Sequence, residues 1–200
     1  ITHMQGKTSS KDYWSDLYLN YETGWDIGFP SPVITAYVDQ LPSKSIPILI
    51  PGCGNAYEAE YLLAHGFSDI TLIDIVPSLT AALEKKFVKE IGKRIQIITG
   101  NFFDHEGSYQ VILEQTFLSV LDPSLRTQYV DKMHSLLVKG GHLAGVLFNK
   151  VFDDGPPYGG TMHEYELMFK NKFYIKTLEP CYNSIERRKG SEAFINLIAK

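Results

Sequence analysis

The chain has 200 residues, 44% hydrophobic and 21% charged, with a formal net charge of −4, the make-up of one ordinary globular domain with its own core. At this size folding buries roughly 70% of the unfolded surface. No basic run or stripe is present, which argues against nucleic acid as a partner, and no apolar run approaches the roughly 20 residues of a membrane span. The opening "ITHM" reads as a remnant, residues 1–3, ahead of a native start at Met4, and no apolar core region of a signal peptide follows. "GKTSS" copies the end of a P-loop without a preceding strand or a glycine four residues before Gly6, so the match is chance. Lys11 to Tyr21 sets Tyr13, Trp14, Leu17 and Tyr18 at helical spacing, giving one aromatic face. "ETGWDIGFPSP" stacks too many Gly and Pro for a regular element. Ser31 then caps a helix that starts at Pro32 and runs to about Leu41.

From Ile46 apolar runs alternate with amphipathic stretches. "IPILI", "ITLIDI", "IQIIT", "YQVILE" and "HLAGVLF" read as strands. Between them Ala56 to His65, Ser78 to Glu90 (closed by Gly92) and Ser124 to Val138 read as helices, with another over Thr161 to Lys170. The end differs: "FYIKTLEPC" and "EAFINLIAK" are strands joined only by "YNSIERRKGS" and should pair antiparallel at one sheet edge. The pattern predicts an α/β fold, a Rossmann-like, doubly wound sheet of seven strands. It is mostly parallel with a C-terminal antiparallel hairpin strand and has helices on both faces. Residues 1–200 read as one domain, with 1–45 as an N-terminal helical lid segment.

A ligand of such a sheet sits beyond the carboxyl ends of the strands, where the winding reverses. Gly52-Cys53-Gly54 turns the chain there and lets a ligand approach the backbone, though a tight strand-to-helix turn would look the same. Asp74, at the end of the next strand, is placed to accept hydrogen bonds from two adjacent ribose hydroxyls; a helix cap near Pro77 is the bland alternative, for which Ser78 serves as well. Pro51 and Ala56 depart from a dinucleotide fingerprint, and "NAYE" crowds the turn with Glu58 beside it, so a pyrophosphate is poorly served. A phosphate-free, positively charged nucleoside fits better, and S-adenosylmethionine is the commonest. Asn101 and Phe102 suit an adenine edge and ring, or else begin the core under the loop. Glu114 and Gln115 stand at the same rim, where a carboxylate would neutralise an ammonium or sulfonium. Cys53 reads as a packing residue rather than a nucleophile. Cys53 and Cys181 are too few for a disulfide framework, which places the chain in a reducing cytoplasmic compartment.

"GWDIGFPSP", "ILIPGCGNAYE", "LIDIVPS", "GNFFDH", "EQTFLSVLDPSLR", "GPPYGG" and "RRKGSE" follow one another as in the thiopurine S-methyltransferase-like family, which the chain resembles from Trp14 onward. The likeness is closer to the thiol/halide branch of these class I S-adenosylmethionine-dependent enzymes. It implies cofactor contacts from Trp14, Tyr18 and Trp25, with Tyr18 in place of a tryptophan. It also implies them from Gly52, Cys53, Gly54, Asp74, Ile75, Asn101 (usually Asp), Phe102 and Glu114 (usually Asp). Gln115 replaces an arginine implicated in substrate binding in the mammalian thiopurine enzymes. Acceptor walls are expected at Phe29, Gln115, Phe117, Phe148 and Tyr158, each otherwise ordinary core, with "DDGPPYGG" a flexible loop nearby.

Methyl transfer to a soft nucleophile needs positioning and desolvation rather than a strong base. No acid/base pair, triad or metal-ligand spacing is found, so no catalytic residue and no metal is expected. Arg187, Arg188 and Lys189 read as a solvated turn. The expectation is a monomeric enzyme that methylates a small-molecule thiol, with halide or thiopurine as further acceptors. The alternatives are an O- or N-methyltransferase, a non-catalytic cofactor-binding protein and, more distantly, a dinucleotide dehydrogenase.

Overall fold

The computed structural model describes residues 10–200; the readings of residues 1–3 as a remnant and of "GKTSS" up to Ser9 lie outside them. Helix α1 (Lys11–Leu19) is capped by Ser10, whose Oγ accepts from the Tyr13 amide at 3.2 Å. It buries no residue fully. A strap leads to α2 (Pro32–Val38), which buries Val33, Ile34, Tyr37 and Val38. Ser31 does not cap this helix: its amide donates to Glu58 Oε1 at 3.0 Å, tying the strap to the next helix instead.

Strand and helix then alternate as expected: β1 (Ile48–Pro51), α3 (Tyr57–Ala64), β2 (Ile70–Asp74), α4 (Pro77–Lys86), β3 (Ile95–Thr99), β4 (Tyr109–Gln115), α5 (Arg126–Leu136), β5 (Leu137–Phe148), α6 (Met162–Phe169), β6 (Phe173–Pro180) and β7 (Glu192–Ala199). The seven strands lie in the order β3-β2-β1-β4-β5-β7-β6. β1 to β5 run parallel, while β7 is antiparallel to both β5 and β6. The doubly wound architecture with its terminal hairpin is thus observed. Fully buried strands explain the near-continuous apolar runs, since helices cover both faces. Successive side chains of β1 enter opposite cores. Ile48 and Ile50 join Leu62, Leu72 and Leu83 on one face; Leu49 joins Tyr129, Leu143, Phe169 and Ile195 on the other.

Helix α5 is shorter than the expected Ser124 to Val138. A 3-10 turn over Pro123–Leu125 precedes it, with Asp122 Oδ1 accepting from the Ser124 amide at 2.9 Å. Leu137 and Val138 belong to β5, because Leu137 already pairs with Tyr109 across an irregularity in β4. Neither Asp74 nor Ser78 caps α4, which begins on Pro77 after Val76. α6 is closed by a capping box between Thr161 and Glu164.

Gly145 lies opposite Glu114 in the β4–β5 pairing, and a Cβ there would meet the Glu114 carbonyl oxygen at 1.8 Å. Backbone cannot yield as a side-chain tip can. Gly145→Ala should lower stability by about 1–3 kcal/mol, measured by urea denaturation; an unchanged midpoint would refute this close approach.

Candidate active site

The loop after β1 takes three left-handed residues in alternation: Gly52 (φ 57), Gly54 (φ 53) and Ala56 (φ 56). At the two glycines the reason is space. A Cβ on Gly52 would stand 2.3 Å from the Phe117 ring, and one on Gly54 3.3 Å from the Tyr18 hydroxyl. Ala56, where a third glycine was missing, keeps the glycine conformation at a cost of about 1–2 kcal/mol while its methyl packs in the core.

Asp74 closes the loop from below. Its Oδ2 accepts from the Gly54 amide at 3.1 Å and its Oδ1 from Val76 at 3.1 Å. Burial raises its carboxyl above the ordinary value, against the opposing pull of the Val76, Gly54 and Ile75 amides. The carboxylate keeps further lone pairs for a ligand. Cys53, between the glycines, is buried, and burial together with Asp74 pushes its thiol well above its usual range. That fits a packing residue and not a nucleophile.

Three aromatic rings roof the loop. Trp25 meets Trp14 edge-on at 5.5 Å and Tyr18 at 5.6 Å. Burial, with Asp74 second, raises the Tyr18 hydroxyl, so it stays protonated. Asp26, which the sequence reading passed over, pins the strap beside them. Its carboxylate accepts from the Gly28 amide at 2.7 Å, from the Tyr57 hydroxyl at 3.1 Å and from Asn55 Nδ2.

On the far side of the sheet's reversal, Glu114 is the last but one residue of β4 and does not stand at the rim. It is fully buried, and its carboxylate accepts from the Phe117 and Leu118 amides and the Tyr129 hydroxyl. An ammonium or sulfonium contact is therefore not open to it. Instead it holds the turn Gln115-Thr116-Phe117, in which Thr116 adopts φ 58, a position β-branched residues rarely take.

These groups enclose a cavity of about 690 Å³ along the carboxyl edge from β2 to β5. The structure brings Trp14, Tyr18, Trp25, Phe29, Gly52, Cys53, Gly54, Asp74, Ile75, Asn101, Phe102, Gln115, Phe117 and Phe148 onto one wall system. Phe102 lines the cavity and also packs edge-on against Phe117 at 5.2 Å within the core. Asn101 Oδ1 accepts from the Phe103 amide at 3.0 Å. Gln115 Oε1 is buried and accepts no hydrogen bond among the described residues. Two expected positions fall elsewhere: Glu114, as above, and Tyr158. The Tyr158 amide bonds the Ser119 carbonyl at 2.7 Å and its ring lies against Gly155, behind the lining.

The solvated-turn reading fails for Arg188. Arg187 and Lys189 are exposed, but Arg188 is buried, 3.3 Å from Glu192, with its guanidinium 5.4 Å above the Phe148 ring. Lys150 and Phe152 were also unforeseen on the lining. Nothing in a one-dimensional pattern marks Arg188, because its partner at Trp25 is 163 residues away. Among the described residues no cluster of His, Cys, Asp and Glu could hold a metal ion, and no helix is long and apolar enough to cross a membrane.

The architecture is shared with the 1,6-didemethyltoxoflavin-N1-methyltransferase of Burkholderia thailandensis, at a TM-score of 0.75 and 15% identity over 95% of this chain and 87% of that one. Fold and winding are those of the class I methyltransferases. Residues 9–196 match the family described as Thiopurine S-methyltransferase (TPMT). The chain belongs to that family and is an S-adenosylmethionine-dependent methyltransferase. Similar curated proteins include the "Probable thiol methyltransferase 2" of Arabidopsis thaliana, 28% identical over 83% of this chain and 75% of that one. Another is the "Thiocyanate methyltransferase 1" of the same plant, 24% identical over 93% and 84%.

Glu114 carries a testable pH signature. Its carboxyl is pushed up to about 7, first by burial, against the pull of Tyr129 and the two amides. The folded state thus prefers the protonated form. Its stabilising contribution is full below the ordinary value of 4.5 and is lost as pH rises through about 7. Glu114→Gln keeps an acceptor for both amides and removes the titration. Stability relative to the parent should then improve across that window by up to about 1.4 kcal/mol per pH unit. Parallel stability–pH curves would show that Glu114 is not the titrating group.

Proposed function

We propose that the chain transfers the methyl group of S-adenosylmethionine to a small soft nucleophile, in the first place a thiol. The observation that carries this reading is the make-up of the cavity at its β4–β5 end. Its walls there are Phe117, Phe148, Phe152 and the amide of Gln115, with the cations Lys150 and Arg188. No histidine is among the lining residues; of the carboxylates there, Asp26, Glu58 and Asp74 are engaged by neighbouring donors, and Glu22 is exposed on the strap of the lid. An oxygen or nitrogen acceptor would normally need a base beside the methyl group; a thiolate needs none.

The lining residues fit the cofactor, and the fit assigns the roles. Asp74 accepts from the two ribose hydroxyls with the lone pairs left by Gly54 and Val76, and Ile75 lies beside the sugar. Gly52 and Gly54, which carry no side chain, let the methionine portion approach the loop backbone, with Cys53 between them. Asn101 and Phe102 face the adenine, and Trp14, Tyr18 and Trp25 close over the sulfonium and exclude water. When bound, the cofactor supplies a methyl carbon on a sulfonium with a neutral thioether as leaving group. The acceptor sulfur forms its bond to that carbon as the sulfonium–carbon bond breaks, the electron pair returns to the departing sulfur, and the thiol proton has gone to solvent beforehand. Gln115, with its unpartnered Oε1, and Phe29, Phe117 and Phe148 hold the nucleophile in line. Lys150 favours its anionic form, whereas the charge of Arg188 is already met by Glu192. The net charge of −4 supports a small-molecule acceptor over a polyanion, and a single domain acting as a monomer suffices, since every group invoked lies on one chain.

The test is transfer of a labelled methyl group from S-adenosylmethionine to simple thiols, iodide, thiopurines, phenols and amines. Methyl thioether with S-adenosylhomocysteine is expected. Inactivity with every sulfur and halide acceptor, or product from the phenol or amine arm alone, would overturn the proposal. Asp74→Ala should weaken cofactor binding by roughly 10–100-fold for the lost charge-assisted hydrogen bonds, read by calorimetry; unchanged affinity would remove the ribose assignment.

A further inference from the structure

The lid is fastened to the body at a place the methyl-transfer chemistry does not require. Helix α1 has no fully buried residue, so packing alone anchors it weakly. The strap behind it is gripped from the turn between β6 and β7, where consecutive arginines reach consecutive carbonyls. Arg188 Nη2 donates to the Trp25 oxygen at 2.8 Å, and Arg187 Nη2 donates to the Asp26 oxygen at 2.9 Å. The two grips differ in kind. Arg187 is exposed, where such a bond contributes little. Arg188 is 8% exposed and Glu192 4%, and Glu192 is the first residue of β7, paired with Phe148 of β5. The guanidinium therefore stands on the rigid sheet, oriented by Glu192 on one side and by the Phe148 ring beneath it. Its fork can bond a carboxylate and a carbonyl at once, which an ammonium cannot do in one geometry. A buried pair of this kind is weak support for stability but well suited to fixing a position.

We propose that Arg188 is a positioning residue, a latch that holds the Trp25 strap closed over the cofactor and so governs how long the spent nucleoside is retained. The inference rests on the cofactor placement above. Opening the lid requires the Arg188–Trp25 bond to break while the Arg188–Glu192 pair stays in the sheet.

The chain carries its own reporter: its two tryptophans, Trp14 and Trp25, both lie in the lid and touch each other, so emission excited selectively at tryptophan, beyond the absorption of the tyrosines, reads the lid. Arg188→Lys keeps the charge opposite Glu192 and gives up the second bond. It should leave the melting temperature nearly unchanged, shift the emission of the free protein to the red, and speed dissociation of S-adenosylhomocysteine about tenfold. The double variant Arg188→Met, Glu192→Met removes the buried charges together and should release the lid in the same way. Arg187→Ala should change dissociation less than about twofold. Unaltered emission and dissociation in both Arg188 variants would overturn the latch, as would a raised acceptor KM with retention unchanged. Should the parent protein bind no S-adenosylhomocysteine, the cofactor placement falls, while the emission of the free variants still decides whether Arg188 holds the lid.

Discussion

At the carboxyl edge of the sheet two buried carboxylates each hold a loop by its backbone amides, and the cavity exists because those loops stand apart. Asp74 grips Gly54 and Val76; Glu114 grips Phe117 and Leu118. The gap between the loops follows from the winding. β1 pairs with β2 on one flank and β4 on the other, so the crossovers on either side of this point leave in opposite directions. No helix can cover both strand ends, and what remains open there is deep and mostly apolar. Taking a carboxylate out of water is costly, and each of these two offsets part of the loss by satisfying amides that would otherwise be orphaned beside a hole.

Those tethers also explain how strained backbone persists where the cavity needs it. Ala56 and Thr116 both sit in the left-handed region, one on each side of the reversal. Each is over-determined by its neighbours. Ala56 lies between the glycine loop and the first turn of α3, and Thr116 lies between the end of β4 and the turn that Glu114 holds. The strain brings Phe117 against Gly52 and turns Gln115 into the cavity. Close approach at the wall is thus bought with backbone energy in the loops.

The sheet could be read from the sequence because parallel strands covered on both faces show as continuous apolar runs, broken by turn residues at each crossover. Boundaries went astray where a local preference lost to a pairing. Leu137 and Val138 continue a helical pattern, but Tyr109 of β4 claims them for the sheet. Ser31 has the right side chain for a cap, yet its amide is taken by Glu58. Cavity-lining positions at strand ends were legible, since Gly52, Gly54, Asp74 and Gln115 occupy places defined by the winding alone. Glu114 was misplaced because side chains alternate along a strand, and position gives the rim without giving the direction. Asp26 and Arg188 act through partners distant in sequence, and their surroundings of charge and turn residues look like any solvated loop.

Cys53 deserves a last consideration as a matter of chemical self-compatibility. A sulfhydryl in the wall of a chamber that receives a methyl electrophile is a potential competitor for that electrophile and a potential partner for mixed disulfides. Deep burial next to Asp74 keeps its proton in place far above neutral pH, and only the thiolate attacks carbon or sulfur at a useful rate. Burial thus renders the loop's own sulfur mute, and a methyl donor can be held in this cavity without alkylating the wall.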